Sequence, residues 1–203
     1  MHARLRPVVK AYDVRGRVPD QLDTTIARAL GEAFADEVGI ADGRGRAVVG
    51  RDMRASSPDV VRAVADGIRS RGADVVDIGL ASTDMLYCAS GVLDVPGIMV
   101  TASHNPGNFN GFKIIVQGQV LSGDVLQLLK PIMIVENFTR GVSEYFSRLV
   151  IPQYVRQIFE DIGIVREFKV VVDGSNSVSG PVAVELFESL GCEVVPLYCD
   201  IDG

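Results

Sequence analysis

A polar segment from Thr101 to Gly107, with the sequence TASHNPG, carries the side chains best suited to chemistry. It follows an apolar run typical of a buried strand, and Asn-Pro-Gly favours a tight, exposed turn. The spacing therefore predicts a hydroxyl, that of Ser103, at the rim of a sheet, where it could carry a transferable group. A plain solvated turn is the alternative interpretation of the same residues.

A second motif, NGFK at residues 110–113, follows at a distance that lets the chain fold back along the preceding strand. This ribbon would bring Lys113 beside Ser103. Lysine is scarce in this chain, occurring only at positions 10, 113, 130 and 169. An ammonium group at Lys113 could stabilise a phosphate as a point charge or transfer a proton.

Two other features favour weaker interpretations. Four arginines surround the first predicted strand: Arg44, Arg46, Arg51 and Arg54. We interpret this cluster as a solvated rim. The less frequent alternative is the edge of a cleft that attracts phosphate. Asp200 follows an apolar run, as the nucleophile of some phosphatases does, so a phosphatase phosphorylated at Ser103 or Asp200 stays open as an alternative. We favour a plain strand end at Asp200.

The composition excludes several classes of protein. The chain has 203 residues, 47% hydrophobic and 23% charged, as expected of a globular protein. A net charge of −6 argues against a nucleic-acid partner, and three cysteines favour neither a disulfide framework nor a zinc site. No apolar run is long enough to span a membrane and no secretory signal precedes the first strand, so we expect a cytoplasmic protein without a membrane partner.

Strand and helix patterns alternate along the first half of the chain. Apolar runs at 47–50, 74–79 and 97–103 are separated by helical patterns at 58–71 and 82–90. A further helix is predicted over residues 22–38, ending before Gly39. This alternation predicts an α/β fold with a mixed, mostly parallel sheet sandwiched by helices.

The run FKIIVQG at residues 112–118 follows too closely for a crossover helix and predicts an antiparallel partner. Ser122 is predicted to cap a helix that ends at Lys130. Beyond it, helices at 151–162 and 181–190 flank strands at 168–174 and 193–198. Two strands do not complete such a domain, so we predict a first domain over residues 1–145 and an incomplete second α/β domain over 146–203, with an exposed edge suited to self-association or a partner.

The motifs TASHNPG and NGFK, together with YDVRG at residues 12–16, resemble the α-D-phosphohexomutase family. The likeness is strongest to its bacterial phosphomannomutase/phosphoglucomutase branch, and it covers that family's first domain and part of its second. The resemblance implies interconversion of hexose 1-phosphates and 6-phosphates, of glucose or mannose, through a 1,6-bisphosphate.

The resemblance also implies roles for individual residues. Ser103 resembles the phosphoserine that gives and retakes the phosphoryl group, and its phosphate would help bind Mg²⁺. His104 and Lys113 resemble residues for proton transfer and phosphate orientation. Arg15 and Tyr12 resemble residues that face the phosphoserine and the substrate, and Asn105 is expected to hold the loop next to the substrate.

The sequence departs from the family in its metal-binding residues. Three aspartates in a DGDGDR loop complete the family's metal site, and this chain does not contain that loop. The nearest string, DIDG at residues 200–203, is not assigned to them. We therefore expect a truncated and poorly active mutase, with a non-catalytic binding or regulatory module as the alternative.

Overall fold

The computed structural model describes residues 2–9, 13–43, 45–134, 141, 143–163 and 166–202. The strands are β1 Val14–Arg17, β2 Arg46–Arg51, β3 Asp74–Leu80, β4 Gly97–Val100, β5 Phe109–Val116, β6 Gln119–Val120, β7 Tyr145–Ser147, β8 Lys169–Asp173 and β9 Glu193–Leu197. The helices are α1 His2–Leu5, α2 Thr24–Glu37, α3 Ser57–Ser70, α4 Thr83–Leu93, α5 Asp124–Ile134, α6 Ile151–Asp161 and α7 Ser179–Ser189.

The larger sheet is mixed, as predicted. Its strand order is β1-β5-β4-β2-β3-β7, and β6 pairs with β5. Strands β4, β2, β3 and β7 run parallel, whereas β5 is antiparallel to both β1 and β4. The short connection after β4 leaves no room for a crossover helix, which is why the chain returns beside the strand it has just left.

The side chains of the parallel strands alternate between two apolar cores, because successive residues of a strand point to opposite faces. Val49 and Ile98 belong to the core that includes residues of α2, α3 and α5. Val48 and Met99 belong to the core that includes residues of α4 and α6. Helices therefore cover both faces of the sheet, which confirms the predicted α/β class.

The ends of α2 are set by local signals in the sequence. Asp23 caps the helix by accepting a hydrogen bond from the backbone N–H of Ile26, at 3.0 Å. Gly39 follows the helix with a φ of +72°, a backbone conformation that glycine adopts without strain. The predicted end of this helix is therefore confirmed.

Helix α5 begins later and extends further than the predicted span from Ser122 to Lys130. It contains Pro131 and continues to Ile134. Leu129 and Met133 are almost fully buried in the core shared with α2 and α3. The free energy gained by this burial outweighs the cost of a proline within the helix. The local sequence pattern alone therefore predicted too early an end for this helix.

Helices α2 and α3 approach each other closely at two glycines. A Cβ atom added to Gly31 would lie 2.2 Å from the carbonyl oxygen of Val64, and one added to Gly67 would lie 2.2 Å from that of Arg28. Neither contact is compatible with an ordinary van der Waals distance to backbone atoms. The close packing of the two helices therefore depends on both glycines.

The last part of the chain forms a separate parallel pair. Strands β8 and β9 align Val171 with Val195, α7 packs against both strands, and α6 packs against α7 and α4. Val171 is 61% exposed, so one face of this small sheet is uncovered. Strand β7 extends the larger sheet to Ser147. The predicted boundary between the two domains stays a prediction.

No helix among the described residues is both long and apolar enough to cross a bilayer.

Candidate active site

Ser103 lies on an exposed turn just after β4. The strand ends at Val100, earlier than predicted, because the chain turns where the backbone N–H of Ser103 donates to Thr101 Oγ1, at 2.9 Å. Ser103 has a φ of +54°, in the left-handed region that serine adopts only at some cost. No hydrogen bond from the described residues engages its hydroxyl, which is therefore available to react.

The two residues after Ser103 differ in their surroundings. His104 is exposed. Asn105 is half-buried, and its backbone N–H and its side-chain amide both donate to the carbonyl oxygen of Ala102, at 3.1 and 3.0 Å. Asn105 thus forms hydrogen bonds within the turn.

Lys113 lies on β5, opposite Met99 of β4. Its ammonium nitrogen is 3.5 Å from Thr83 Oγ1, at the start of α4, and it makes no direct hydrogen bond to Ser103. Thr83 follows β3, so this contact lies toward the sheet edge at which β4 ends and the loop of Ser103 begins. The antiparallel ribbon thus brings Lys113 to the edge of the sheet that carries Ser103.

Arg15 lies on β1 and pairs across the ladder with Gly111 of β5. Its guanidinium is 2.9 Å from the carboxylate of Asp13, and its side chain is 17% exposed. On the other side of β5, the carbonyl oxygen of Gly111 accepts from the N–H of Thr101. Arg15 therefore lies two strands away from the turn of Ser103. The predicted substrate contact at Tyr12 lies outside the described residues.

A cleft of about 440 Å³ opens beside the turn of Ser103. The loop after β2, the turn after β4 and one residue from the end of the described chain form its walls: Met53, Arg54, Ala55, Ser103, His104, Asn105, Gly107 and Asp202. The carboxyl ends of parallel strands are where α/β folds bind ligands. The cleft therefore gives a ligand access to Ser103.

The interpretation of Arg54 as part of a solvated rim was wrong. Its side chain is only 7% exposed, and its guanidinium donates to backbone carbonyl groups of the loop that carries Ser103. The partners lie about fifty residues further along the chain, so local sequence patterns gave no reason to expect this burial. A useful signal would have been Asp52, which precedes Arg54 by two residues and pairs with it at 3.0 Å.

The described residues contain no group of three or more His, Cys, Asp or Glu side chains that could hold a metal ion. The side chains in the described ranges thus do not make up a complete metal site. Ser103 could contribute a single oxygen ligand.

Known proteins with similar sequences point to a single family. The family model described as phosphoglucomutase/phosphomannomutase, alpha/beta/alpha domain I, matches residues 6–140. The chain belongs to the phosphoglucomutase/phosphomannomutase family. A crystal structure of a phosphoglucomutase/phosphomannomutase family protein from Burkholderia thailandensis superimposes with a TM-score of 0.90 at 41% identity, covering 100% of this chain and 45% of that one.

Curated relatives carry names from the same family. The phosphomannomutase/phosphoglucomutase of Pseudomonas aeruginosa PAO1 is 40% identical over 197 residues, which cover 97% of this chain and 42% of the relative. The phosphoglucomutase of Neisseria meningitidis serogroup A is 34% identical over 201 residues, covering 98% and 44%. The chain thus spans less than half the length of these phosphoglucomutase/phosphomannomutase relatives.

Gly111, the glycine of the NGFK motif, has a physical role in this phosphoglucomutase/phosphomannomutase domain. A Cβ atom at this position would lie 2.3 Å from the carbonyl oxygen of Val14 and 3.2 Å from Cα of Arg15. Both atoms belong to β1, so any larger residue would push that strand, and the guanidinium of Arg15 with it, away from β5.

The Gly111→Ala variant should therefore lose stability. We expect the free energy of unfolding to fall by about 1–3 kcal/mol through overpacking. Thermal unfolding measures this effect. Gly163→Ala, where a Cβ atom would meet nothing within 4 Å, is the control. Equal behaviour of the two variants would contradict the prediction.

Proposed function

We propose that this chain provides the phosphoserine part of a phosphohexomutase, in which Ser103 passes a phosphoryl group to and from a hexose phosphate. One observation carries the proposal: the hydroxyl of Ser103 is exposed and without a described partner on a turn beside the cleft. Membership of the phosphoglucomutase/phosphomannomutase family supports it. The substrates would be the 1-phosphate, 6-phosphate and 1,6-bisphosphate of glucose or mannose.

In the proposed half-reaction, the oxygen of Ser103 attacks a phosphorus atom of the sugar bisphosphate. A bond forms between this oxygen and phosphorus, and the bond between phosphorus and the sugar oxygen breaks. The serine proton moves to a base and the sugar oxygen gains a proton, for which we propose His104 and Lys113. In the opposite direction, the phosphoserine would phosphorylate the free hydroxyl of a hexose monophosphate and regenerate the bisphosphate, so no external phosphate is consumed.

Positive charge must accompany this transfer, because charge spreads over the equatorial oxygens of the phosphoryl group. We propose that Arg15 supplies a fixed cation and that Tyr12 and Asn105 contact the substrate. Mg²⁺ is the proposed cofactor, with a phosphate oxygen on Ser103 as one ligand, and when bound it would neutralise phosphate charge. A cytoplasmic location fits a hexose phosphate substrate.

Incubation with glucose 1,6-bisphosphate and Mg²⁺, followed by intact-mass measurement and peptide mapping, tests the proposal. We expect the mass of one phosphoryl group on the peptide that contains Ser103, and none in Ser103→Ala. Ser122→Ala, which removes an exposed serine in another loop, should still become phosphorylated. The proposal fails if the wild-type chain takes up no phosphoryl group or if Ser103→Ala takes it up equally.

A further inference from the structure

The guanidinium of Arg54 has no donor left for a ligand. An arginine side chain has five N–H donors. Nε donates to Asp52 Oδ2 at 3.0 Å. Nη1 donates to the carbonyl oxygens of Pro106 and Phe109, at 2.7 and 3.1 Å. Nη2 donates to those of Ser103 and Asn105, at 2.7 and 2.8 Å. Although Arg54 lines the cleft beside Ser103, its hydrogen bonds are all directed into the protein.

Asp52, which orients Arg54, is itself held from two directions. Its Oδ1 accepts from the backbone N–H of Arg54, at 3.1 Å, and from the hydroxyl of Ser57, at 2.6 Å. Ser57, in the first turn of α3, is fully buried and accepts in turn from the side-chain amide of Asn110, at 3.0 Å. Arg54 is thus fixed by a buried network that joins the end of β2, the start of α3 and β5.

The direction of the four carbonyl groups has a consequence for the neighbouring amides. In a trans peptide group, the C=O and the following N–H point in opposite directions. The carbonyl groups of Ser103 and Pro106 point at Arg54, so the N–H groups of His104 and Gly107 point away from it. Both of these residues line the cleft. Backbone N–H groups that face a cleft are suitable donors to an anion.

We propose that Arg54 is a positioning residue for phosphoryl transfer, fixing the loop of residues 103–109 through its carbonyl groups so that the Ser103 hydroxyl and the N–H groups of His104 and Gly107 face the reacting phosphate. Arg54 itself makes no contact with the phosphate. This inference rests on the proposed function of Ser103.

A lysine in place of Arg54 would keep the positive charge but could not form the same set of hydrogen bonds. Its ammonium has three donors around one nitrogen and lacks the planar fork that reaches four carbonyl groups and a carboxylate together. Arg54→Lys therefore separates the role of geometry from that of charge. Arg62→Lys is the matched control on α3, because the side chain of Arg62 is 71% exposed and pairs with Asp59 at the surface.

The test measures Ser103 phosphorylation at increasing concentrations of glucose 1,6-bisphosphate, together with amide hydrogen exchange. For Arg54→Lys we expect the maximal rate to fall by about a hundredfold, while the half-saturating concentration changes little. Exchange should accelerate in residues 103–109 and stay unchanged in α2 and α4. Arg62→Lys should match the wild type in both measurements.

Three results would overturn the inference. A raised half-saturating concentration with unchanged exchange in the loop would mean that Arg54 contacts the phosphate directly. An unchanged maximal rate would mean that its contacts do not position Ser103. Rapid amide exchange throughout Arg54→Lys would mean that this variant is unfolded. Ser57→Ala then replaces it, because it removes a hydrogen bond to Asp52 at the other end of the same network. A normal maximal rate in Ser57→Ala also overturns the inference. Failure of the wild-type chain to become phosphorylated would refute the proposed function alone, since the exchange comparison still tests the restraint on the loop.

Discussion

The Gly31→Ala variant is expected to lose about 2 kcal/mol of unfolding free energy, the typical cost of overpacking a well-packed core. The added Cβ atom would lie 2.2 Å from the carbonyl oxygen of Val64, a backbone atom that cannot turn aside. Helix α2 would have to move away from α3 and loosen the core between them. Alanine favours an isolated helix by about 1 kcal/mol over glycine, so the packing penalty must exceed this gain.

Thermal unfolding measures the effect, and the midpoint should fall by about 4–8 °C for a chain of this size. Gly91→Ala is the matched control, since Gly91 lies within α4 and a Cβ atom there would meet nothing within 4 Å. That variant should unfold at the wild-type temperature or slightly above it. Gly67→Ala should resemble Gly31→Ala, because its contact is the reciprocal one. A neutral or stabilising Gly31→Ala would refute this account of the helix packing.

The Lys113→Met variant is expected to slow phosphorylation of Ser103 by about a hundredfold or more, the usual contribution of a positioned proton donor. Methionine keeps most of the apolar length of the side chain. Among the described residues the ammonium makes one hydrogen bond, a long one of 3.5 Å to Thr83 Oγ1, so the unfolding temperature should change little. To measure the rate, the chain is incubated with glucose 1,6-bisphosphate and the reaction is quenched at intervals. Mass spectrometry then gives the phosphorylated fraction at each time.

Lys113→Arg distinguishes the two roles that a lysine can have here. Arginine keeps the charge, but it does not release a proton in proteins, so it should be as slow as methionine if Lys113 transfers a proton. Recovery of the rate with arginine would show a purely electrostatic role instead. Lys169→Met, at an exposed lysine of the smaller sheet that pairs with Glu193, should leave the rate unchanged. An unchanged rate in Lys113→Met would contradict both roles.

Hydrophobic period and loop length were sufficient to predict the central elements. Strands β2 and β4 contain continuous apolar runs, β3 contains apolar residues on both sides of Asp77, and the short turn after β4 required an antiparallel return. The edge strands β1 and β7 were not predicted. Val14–Arg17 contains two arginines and a glycine, and Tyr145–Ser147 is three residues long and exposed throughout. Each segment therefore forms a strand because it pairs with a neighbouring strand, and not because of its own sequence pattern.

The candidate site was predictable only where motifs mark it. The exposure of Ser103 and the position of Lys113 at the same sheet edge follow from the turn and the ribbon. The burial of Arg54 does not, because its four carbonyl partners lie in a distant segment whose path depends on the whole sheet. The roles of the site residues, the second domain and self-association through it stay predictions.

Strand β5 pairs with β4 on one side and with β1 on the other, and this has a mechanical consequence. Adjacent strands keep a spacing of about 4.8 Å through their ladders of hydrogen bonds. The strand that precedes the turn of Ser103 and the strands that carry Lys113 and Arg15 are thus held at fixed spacings and cannot move independently. Under the proposed function, a sugar that offers each of its ends to Ser103 in turn would therefore have to rotate above these strands.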